Sequence, residues 1–327
     1  MTRKQKLGIK VLMVALGAIL ILSSFIGCIG GADVVLGEND WDSSAVQTRI
    51  AIFILENGYD YEVAIEIGGT IPLAVAIARG DVDVIIEAWT ESAPDAFADG
   101  FASGAVVELG IDFADSWQGW LVPTYMITDG DLPADISVED MPQYWELFKD
   151  PEDPSKGRFY NCIPGWVCEE TNTMKFEAYG LNDTYTLFPS GSNAALVASM
   201  AGAYEKHEPW FGYHWEPTWP MGKYDMTKIG EPAFEQGVWD TTRGCAYPRD
   251  KVVVLATADF VDREPVLAGF FTTWEVTSAM LNKAMAFMEE NEASYDEAAI
   301  WFLEEYESVW TQWVSADIAS KVKAALP

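Results

Sequence analysis

The sequence predicts an α/β fold arranged as two lobes. Three observations carry this. Strands and helices alternate between residues 33 and 89, the 327-residue chain is 50 % hydrophobic, and two segments near 119–127 and 239–250 read as crossings between lobes. A chain this long and this apolar can bury two cores and is too hydrophobic for a disordered protein.

Taken in order, "ADVVLGEND" (32–40) reads as the first strand, with Trp41 just past its end. Residues 44–57 carry apolar side chains at helical spacing, with Ser43 or Ser44 as N-cap and Gly58 closing the helix. "YEVAIEI" (61–67) alternates as a strand, residues 71–79 form a short helix stopped by Gly80, and "VDVIIEAW" (82–89) is a buried strand ending at Trp89. Strands alternating with helices predict a parallel-type sheet with its sites at strand ends. "GWLVPTYMI" (119–127) is taken as the crossing into the second lobe, and a Pro- and Asp-rich stretch follows from Asp129 to Gly157. "CEETNTMKFEAYG" (168–180) is an amphipathic helix ending at Gly180. The C-terminal segment is helical: Ser294 and Glu297 have capping-box spacing before "AAIWFLEEY", and Trp301, Trp310 and Trp313 lie on apolar, core-facing stripes. The expected division is a leader over 1–28, a first lobe over 33–122, a second over 123–240, and a return to the first over 241–327.

The leader is read from Arg3, Lys4, Lys6 and Lys10, followed by an uncharged run from Val11 to Ala32 that contains Cys28. This is the pattern of a secretory signal ending at a lipidated cysteine; the alternative is an uncleaved anchor, since the run is long enough to span a bilayer. Either way the chain is expected outside the cytoplasm and tethered to the membrane. The net charge is −31, and loss of the basic leader makes it more negative still. Such a surface disfavours nucleic acid and anionic lipid as partners.

No catalytic group stands out. The two histidines, His207 and His214, have no zinc-site spacing, and there is no Walker loop, G-x-S-x-G elbow or G-x-G-x-x-G. A non-enzyme is therefore expected, with no cofactor and no metal; an extracytoplasmic hydrolase is the rival from another class. Export permits disulfides. With Cys28 assigned to lipid, Cys162 and Cys168 are the best pair, leaving Cys245 free and buried, although an odd thiol leaves a Cys245 pairing open.

Of fourteen tryptophans, four stand beside turn-forming or polar residues: Trp41, Trp89, Trp166 and Trp215. Indole faces are negative and suit a quaternary ammonium, which cannot hydrogen-bond; each ring contributes on the order of 1 kcal/mol, so several are needed. In "NCIPGWVCEETN" a helix starting near Glu169 would leave the N–H groups of Val167, Cys168 and Glu169 unpaired, a socket for a carboxylate beside Trp166. A bridge from Cys162 to Cys168 would hold the two together.

The segments "GDVDVIIEAWTES", "QGWLVPTYM", "NCIPGWVCEETN", "YHWEPTWPMGKYD", "CAYP" and "FLEEYESVWTQWV" occur in an order that resembles the substrate-binding proteins of glycine betaine/proline betaine ABC transporters. The resemblance spans essentially the whole chain after the leader. It implies a type II periplasmic-binding-protein fold with the ligand cleft between lobes, a small quaternary ammonium ligand, and ABC permease subunits as partners. Trp89, Trp166 and Trp215 match the cage positions, Val167 and Cys168 the carboxylate-binding amides, and Cys162–Cys168 a disulfide of one branch. The sequence departs at Ala93, where that branch has a histidine holding the carboxylate. Acidic Asp40, Glu87, Glu170 and Glu216 nearby admit choline or trimethylamine N-oxide instead, though each acid singly is expected on solvated surface. A receptor of the same fold for an amino acid or polyamine is a further alternative.

Overall fold

The computed structural model describes residues 31–249 and 251–327; the leader and Cys28 fall outside them. The first sheet takes β1 (Val34–Asn39), β2 (Val63–Gly68), β3 (Val84–Ala88) and β4 (Val106–Phe113), with α1 (Asp42–Tyr59), α2 (Thr70–Arg79) and α3 (Pro94–Ser103) between them. The second takes β5 (Trp117–Pro123), β6 (Gly157–Asn161), β7 (Tyr185–Pro189), β8 (Gly212–Glu216) and β9 (Met226–Lys228). Among these lie α4 (Tyr125–Thr128), α5 (Val167–Ala178), α6 (Asn193–Lys206) and α7 (Trp219–Lys223), with α8 (Gln236–Trp239) after β9. The chain then returns as β10 (Val252–Thr257) and ends in a run of helices over residues 258–325.

The two sheets are laid out alike. Their orders are β2-β1-β3-β10-β4 and β7-β6-β8-β5-β9. In the first, β1 pairs in parallel with β2 and β3, whereas β10 runs antiparallel between β3 and β4. In the second, β6 pairs in parallel with β7 and β8, and β5 runs antiparallel to both β8 and β9. The parallel sheet expected from sequence is thus a mixed one, because the strand that crosses from one sheet to the other enters its new sheet head-to-tail. The segment 119–127, expected as a free crossing, lies mostly in β5 and is hydrogen-bonded into the second sheet.

Helix boundaries follow local chemistry. Gly80 (φ 79°) ends α2 in the left-handed region, as its position in the sequence predicts. For α1 the expected caps do not hold. Trp41 is its N-cap, because the Ser44 hydroxyl accepts the Asn39 N–H (2.9 Å) and Ser43 donates to Glu87. Gly58 lies inside the helix, which closes at Asp60 (φ 63°). The Ser294/Glu297 capping box is formed. Trp310 and Trp313 are buried, and Trp301 stacks on Phe287 with ring centroids 5.2 Å apart.

The first sheet is packed on both faces. Leu73, Ile77 and Phe97 from α2 and α3 meet Ile85 and Leu255 on one side, and Val46, Ile50 and Ile54 from α1 cover the other. Each such side chain, fully buried, contributes about 1.5–3 kcal/mol. The second core is aromatic: Trp120 lies 4.6, 5.6 and 5.9 Å from Phe159, Phe176 and Phe211, and its Nε1 donates to Asn172 Oδ1 on α5 (2.8 Å). Buried Lys175 adds an ion pair to Glu231 and a hydrogen bond to the Cys245 carbonyl, so α5 is locked in rotation about its axis.

His214 on β8 is fully buried. Its Nδ1 accepts the Trp215 N–H (2.9 Å), its Nε2 has no partner among the described residues, and burial pushes its pKa down from 6.5 to about 4. The unfolded imidazole gains a proton below about 6.5 while the folded one stays neutral to about 4, so stability falls with pH across that window. The loss is about 3 kcal/mol at ~1.4 kcal/mol per pKa unit. Urea unfolding of the protein and of His214→Asn from pH 7 to 4 should show the wild type losing its margin over the variant by about that amount. A constant difference would mean that His214 is not held neutral.

Candidate functional site

Every tryptophan singled out from sequence reaches one cavity. It is lined by Trp41, Trp89, Trp166 and Trp215, by Val167, Cys168 and Ala93, and by the polar side chains of Thr70, Ser92, Gln118 and Tyr213. Its volume is about 40 Å³, well below the ~300–1,000 Å³ usual for ligand pockets, because the indole walls stand in contact with one another. Trp41 and Trp89 sit just past the ends of β1 and β3, where open α/β sheets place their sites. Trp166 is the N-cap of α5 and Trp215 projects from β8.

The rings meet as walls of a box do. Trp166 stands 71° to Trp41 with centroids 4.8 Å apart, and 82° to Trp215 at 5.2 Å. Tyr213 lies nearly parallel to Trp215 (5.9 Å, 22°) and donates its hydroxyl to Gln118 Oε1 (2.9 Å). Three of the four indole N–H groups donate to carboxylates, two of them to the same oxygen. Trp41 Nε1 and Trp89 Nε1 both donate to Glu87 Oε1, at 2.8 and 3.1 Å, and Trp166 Nε1 donates to Asp40.

Glu87, expected on solvated surface, is 0 % exposed. Its Oε1 also accepts from Ser43 (3.1 Å) and its Oε2 from Gln47 Nε2 (3.1 Å). Gln47 Nε2 donates in addition to buried Asp112 (3.0 Å), and Trp274 Nε1 donates to Asp112 (3.0 Å) and to Gln47 Oε1 (3.1 Å). Burial pushes both carboxyls up, against their hydrogen bonds; Asp112 is pushed further, by burial and then by the charge of Glu87. Glu170 is exposed, as expected, and half-buried Glu216 accepts from Trp117 and Asn282, away from the cavity lining.

Cys162 and Cys168 are bridged, with Cα atoms 5.8 Å apart, and Cys245 is free and buried. The helix begins two residues before Glu169, at Val167. The Glu169 N–H is therefore spent on the Trp166 carbonyl (3.2 Å), a correction to the three-amide socket. The Val167 and Cys168 N–H groups lie in the first turn of α5, where the helix offers no carbonyl to them, and both residues line the cavity. Thr70, Ser92, Gln118 and Tyr213 were not singled out from sequence; as ordinary polar and aromatic residues, three in regular elements and Ser92 in a turn, they carried no signal.

The two sheets approach each other at this cavity. Ile71 N–H donates to the Gly165 carbonyl (3.3 Å), and Asn193 Nδ2 to Asp42 (3.2 Å). Gly69 lies so close that a Cβ there would stand 2.7 Å from the Gly165 oxygen and 3.0 Å from Trp166 Cδ1.

A small, partly open cavity walled by indoles, with no Lys, Arg or His lining it among the described residues, fits a solute receptor of the two-lobed binding-protein class. The chain belongs to the family described as the substrate binding domain of the ABC-type glycine betaine transport system, which matches residues 32–305. Members of this family are extracytoplasmic solute receptors rather than enzymes, bind small quaternary ammonium ligands and work with ABC permeases. The chain is 24 % identical over 313 residues to a trimethylamine N-oxide-binding protein of Pelagibacter ubique, covering 91 % of this chain and 98 % of that one. In fold it is similar to the glycine betaine/L-proline-binding protein of Borrelia burgdorferi (TM-score 0.74, 16 % identity, 88 % and 99 % of the two chains). It is equally similar to an ABC-transporter choline-binding protein in complex with choline (TM-score 0.74, 17 % identity, 90 % and 98 %).

A methyl group at position 69 has backbone rather than a flexible side chain against it. Gly69→Ala is expected to leave thermal unfolding unchanged and to weaken solute binding roughly tenfold or more. Calorimetric titration checks this; wild-type affinity would mean that the contact between Gly69 and Gly165 is not part of the bound form.

Proposed function

We propose that this protein is the receptor of an importer for a small methylated ammonium solute, held in a box formed by Trp41, Trp89, Trp166 and Trp215. The observation that carries the reading is the convergence of these four indoles on one cavity, with neighbouring rings near right angles. A trimethylammonium group cannot hydrogen-bond, so ring faces replace its hydration without leaving a donor unsatisfied. The Val167 and Cys168 N–H groups at the positive end of α5, with Thr70, Ser92 and Gln118, receive the other end of the solute. The cysteine bridge keeps Trp166 and these amides on one stiff turn. Ala93 supplies no polar group, so the branch-specific histidine contact is absent. Relatives that bind trimethylamine N-oxide and choline, neither of which has a carboxylate, favour those two headgroups beside glycine betaine.

Binding is coupled to closure. The first lobe comprises residues 33–122 with 241–327 and the second 123–240, adjusted so that β5 moves with the second. The solute bridges Trp41 and Trp89 on one side to Trp166 and Trp215 on the other, and the closed form docks on the permease. Calorimetry on the purified protein is expected to show binding of at least one of trimethylamine N-oxide, choline and glycine betaine, and none of lysine or spermidine. Trp166→Ala and Trp215→Ala should each weaken binding by about tenfold or more, the loss of one desolvated cation–π wall. Full affinity in both variants would remove the box assignment.

The receptor is tethered outside the cell membrane through a lipid on Cys28. Among the described residues no helix is long and apolar enough to cross a membrane. Cys28→Ala should abolish incorporation of labelled fatty acid and leave an uncleaved precursor on a gel; labelling that persists would exclude lipidation at this cysteine.

A further inference from the structure

Four groups surround the Glu87 carboxylate, and none of them is a cation. Trp41, Trp89 and Gln47 approach it through N–H groups that can only donate, and Ser43 through a hydroxyl. A protonated carboxyl would turn a fourth donor into this crowd. Burial pushes this carboxyl up, and the three obligatory donors oppose that by favouring the carboxylate. Its partner Asp112, with only Gln47 and Trp274 as donors and with Glu87 beside it, is the member pushed furthest toward the neutral form.

We propose that Glu87 is the specificity-determining residue of the site, its buried charge favouring solutes with a net positive charge over zwitterions that carry a carboxylate. This rests on the reading of the cavity as a methylammonium site. Among the described residues no Lys, Arg or His lines the cavity. The carboxylates hydrogen-bonded to its walls are Glu87, through Trp41 and Trp89, and Asp40, through Trp166, while Asp95, Glu170 and Arg243 line a neighbouring cavity that shares Ser92, Ala93 and Val167. Water is excluded at Glu87, so its field reaches the ligand with little screening. For a net cation this attraction has nothing subtracted from it. For a betaine, the carboxylate seated on the α5 amides is repelled by the same charge, and the two effects largely cancel. Donation of an indole N–H to an anion also moves electron density onto the ring, which strengthens the faces for either kind of solute.

The test compares choline with glycine betaine by calorimetry on the unaltered protein, on Glu87→Gln and on Asp40→Asn. Glutamine keeps an acceptor for the two indoles and removes the charge. Choline should weaken roughly tenfold or more and glycine betaine about threefold or less, so that the ratio of the two dissociation constants shifts. Asp40→Asn should move the ratio the same way but less, because Asp40 is exposed and screened by water. If Glu87→Gln does not fold, because its amide meets Gln47 Nε2, the shift in Asp40→Asn decides. Equal losses for both solutes, with an unmoved ratio, would show that Glu87 only holds the indoles and would overturn the inference. Binding of neither solute to the unaltered protein would instead overturn the methylammonium reading, and this inference with it.

Discussion

Neither sheet is completed by its own stretch of chain. β10 lies between β3 and β4, and without it β4 would have no partner; β5 lies in the same way between β8 and β9. The backbone hydrogen bonds of these two inserted strands are what the rest of the architecture depends on. They tie each sheet to a strand adjoining a crossing, and the two sheets meet again at the cavity, where Ile71 N–H donates to the Gly165 carbonyl. Under the closure proposed above, rotation about those crossings would leave every ladder intact. The strand ends that face the other sheet under this arrangement are those of β1 and β3, and they carry Trp41 and Trp89.

The box is assembled from rigid parts. Trp166 takes its place because α5 is fixed by Trp120, Asn172 and Lys175 below it and by the cysteine bridge at its start. Trp41 and Trp89 share one carboxylate oxygen, so neither ring turns without the other. The network runs on through Gln47 to Asp112 and Trp274, which links the site to the C-terminal helices. A buried carboxylate is costly on its own; here each of its oxygens is occupied, which is the condition under which such a group is retained.

Much of this was legible in sequence, for reasons that can be named. Gly80 after an apolar helix, the Ser294/Glu297 pair, and tryptophans at strand ends beside polar residues are local signals, and the structure places each where those signals point. The cysteines six residues apart are local too. Glu87 was misread because its burial depends on donors 46 and 40 positions away, which no window around "IIEAW" contains. The caps of α1 were misread for the same reason: Ser43 and Ser44 are good capping residues whose hydroxyls are taken by Glu87 and Asn39. The direction of β5 and β10 depends on which sheet each joins. Their own residues say only that they are extended. Gln118 and Tyr213 acquire meaning by facing a cavity built elsewhere.

Trp166 lies against both halves of the molecule, its N–H on Asp40 and its ring between Trp41 and Trp215. Trp120, Trp210, Trp239, Trp274 and Trp310 are fully buried. In the closure proposed above they would form a constant background of emission, while the indoles of the box would exchange aromatic neighbours for water. The molecule would then be its own optical gauge, the colour and intensity of its ultraviolet fluorescence following the cleft with no label attached.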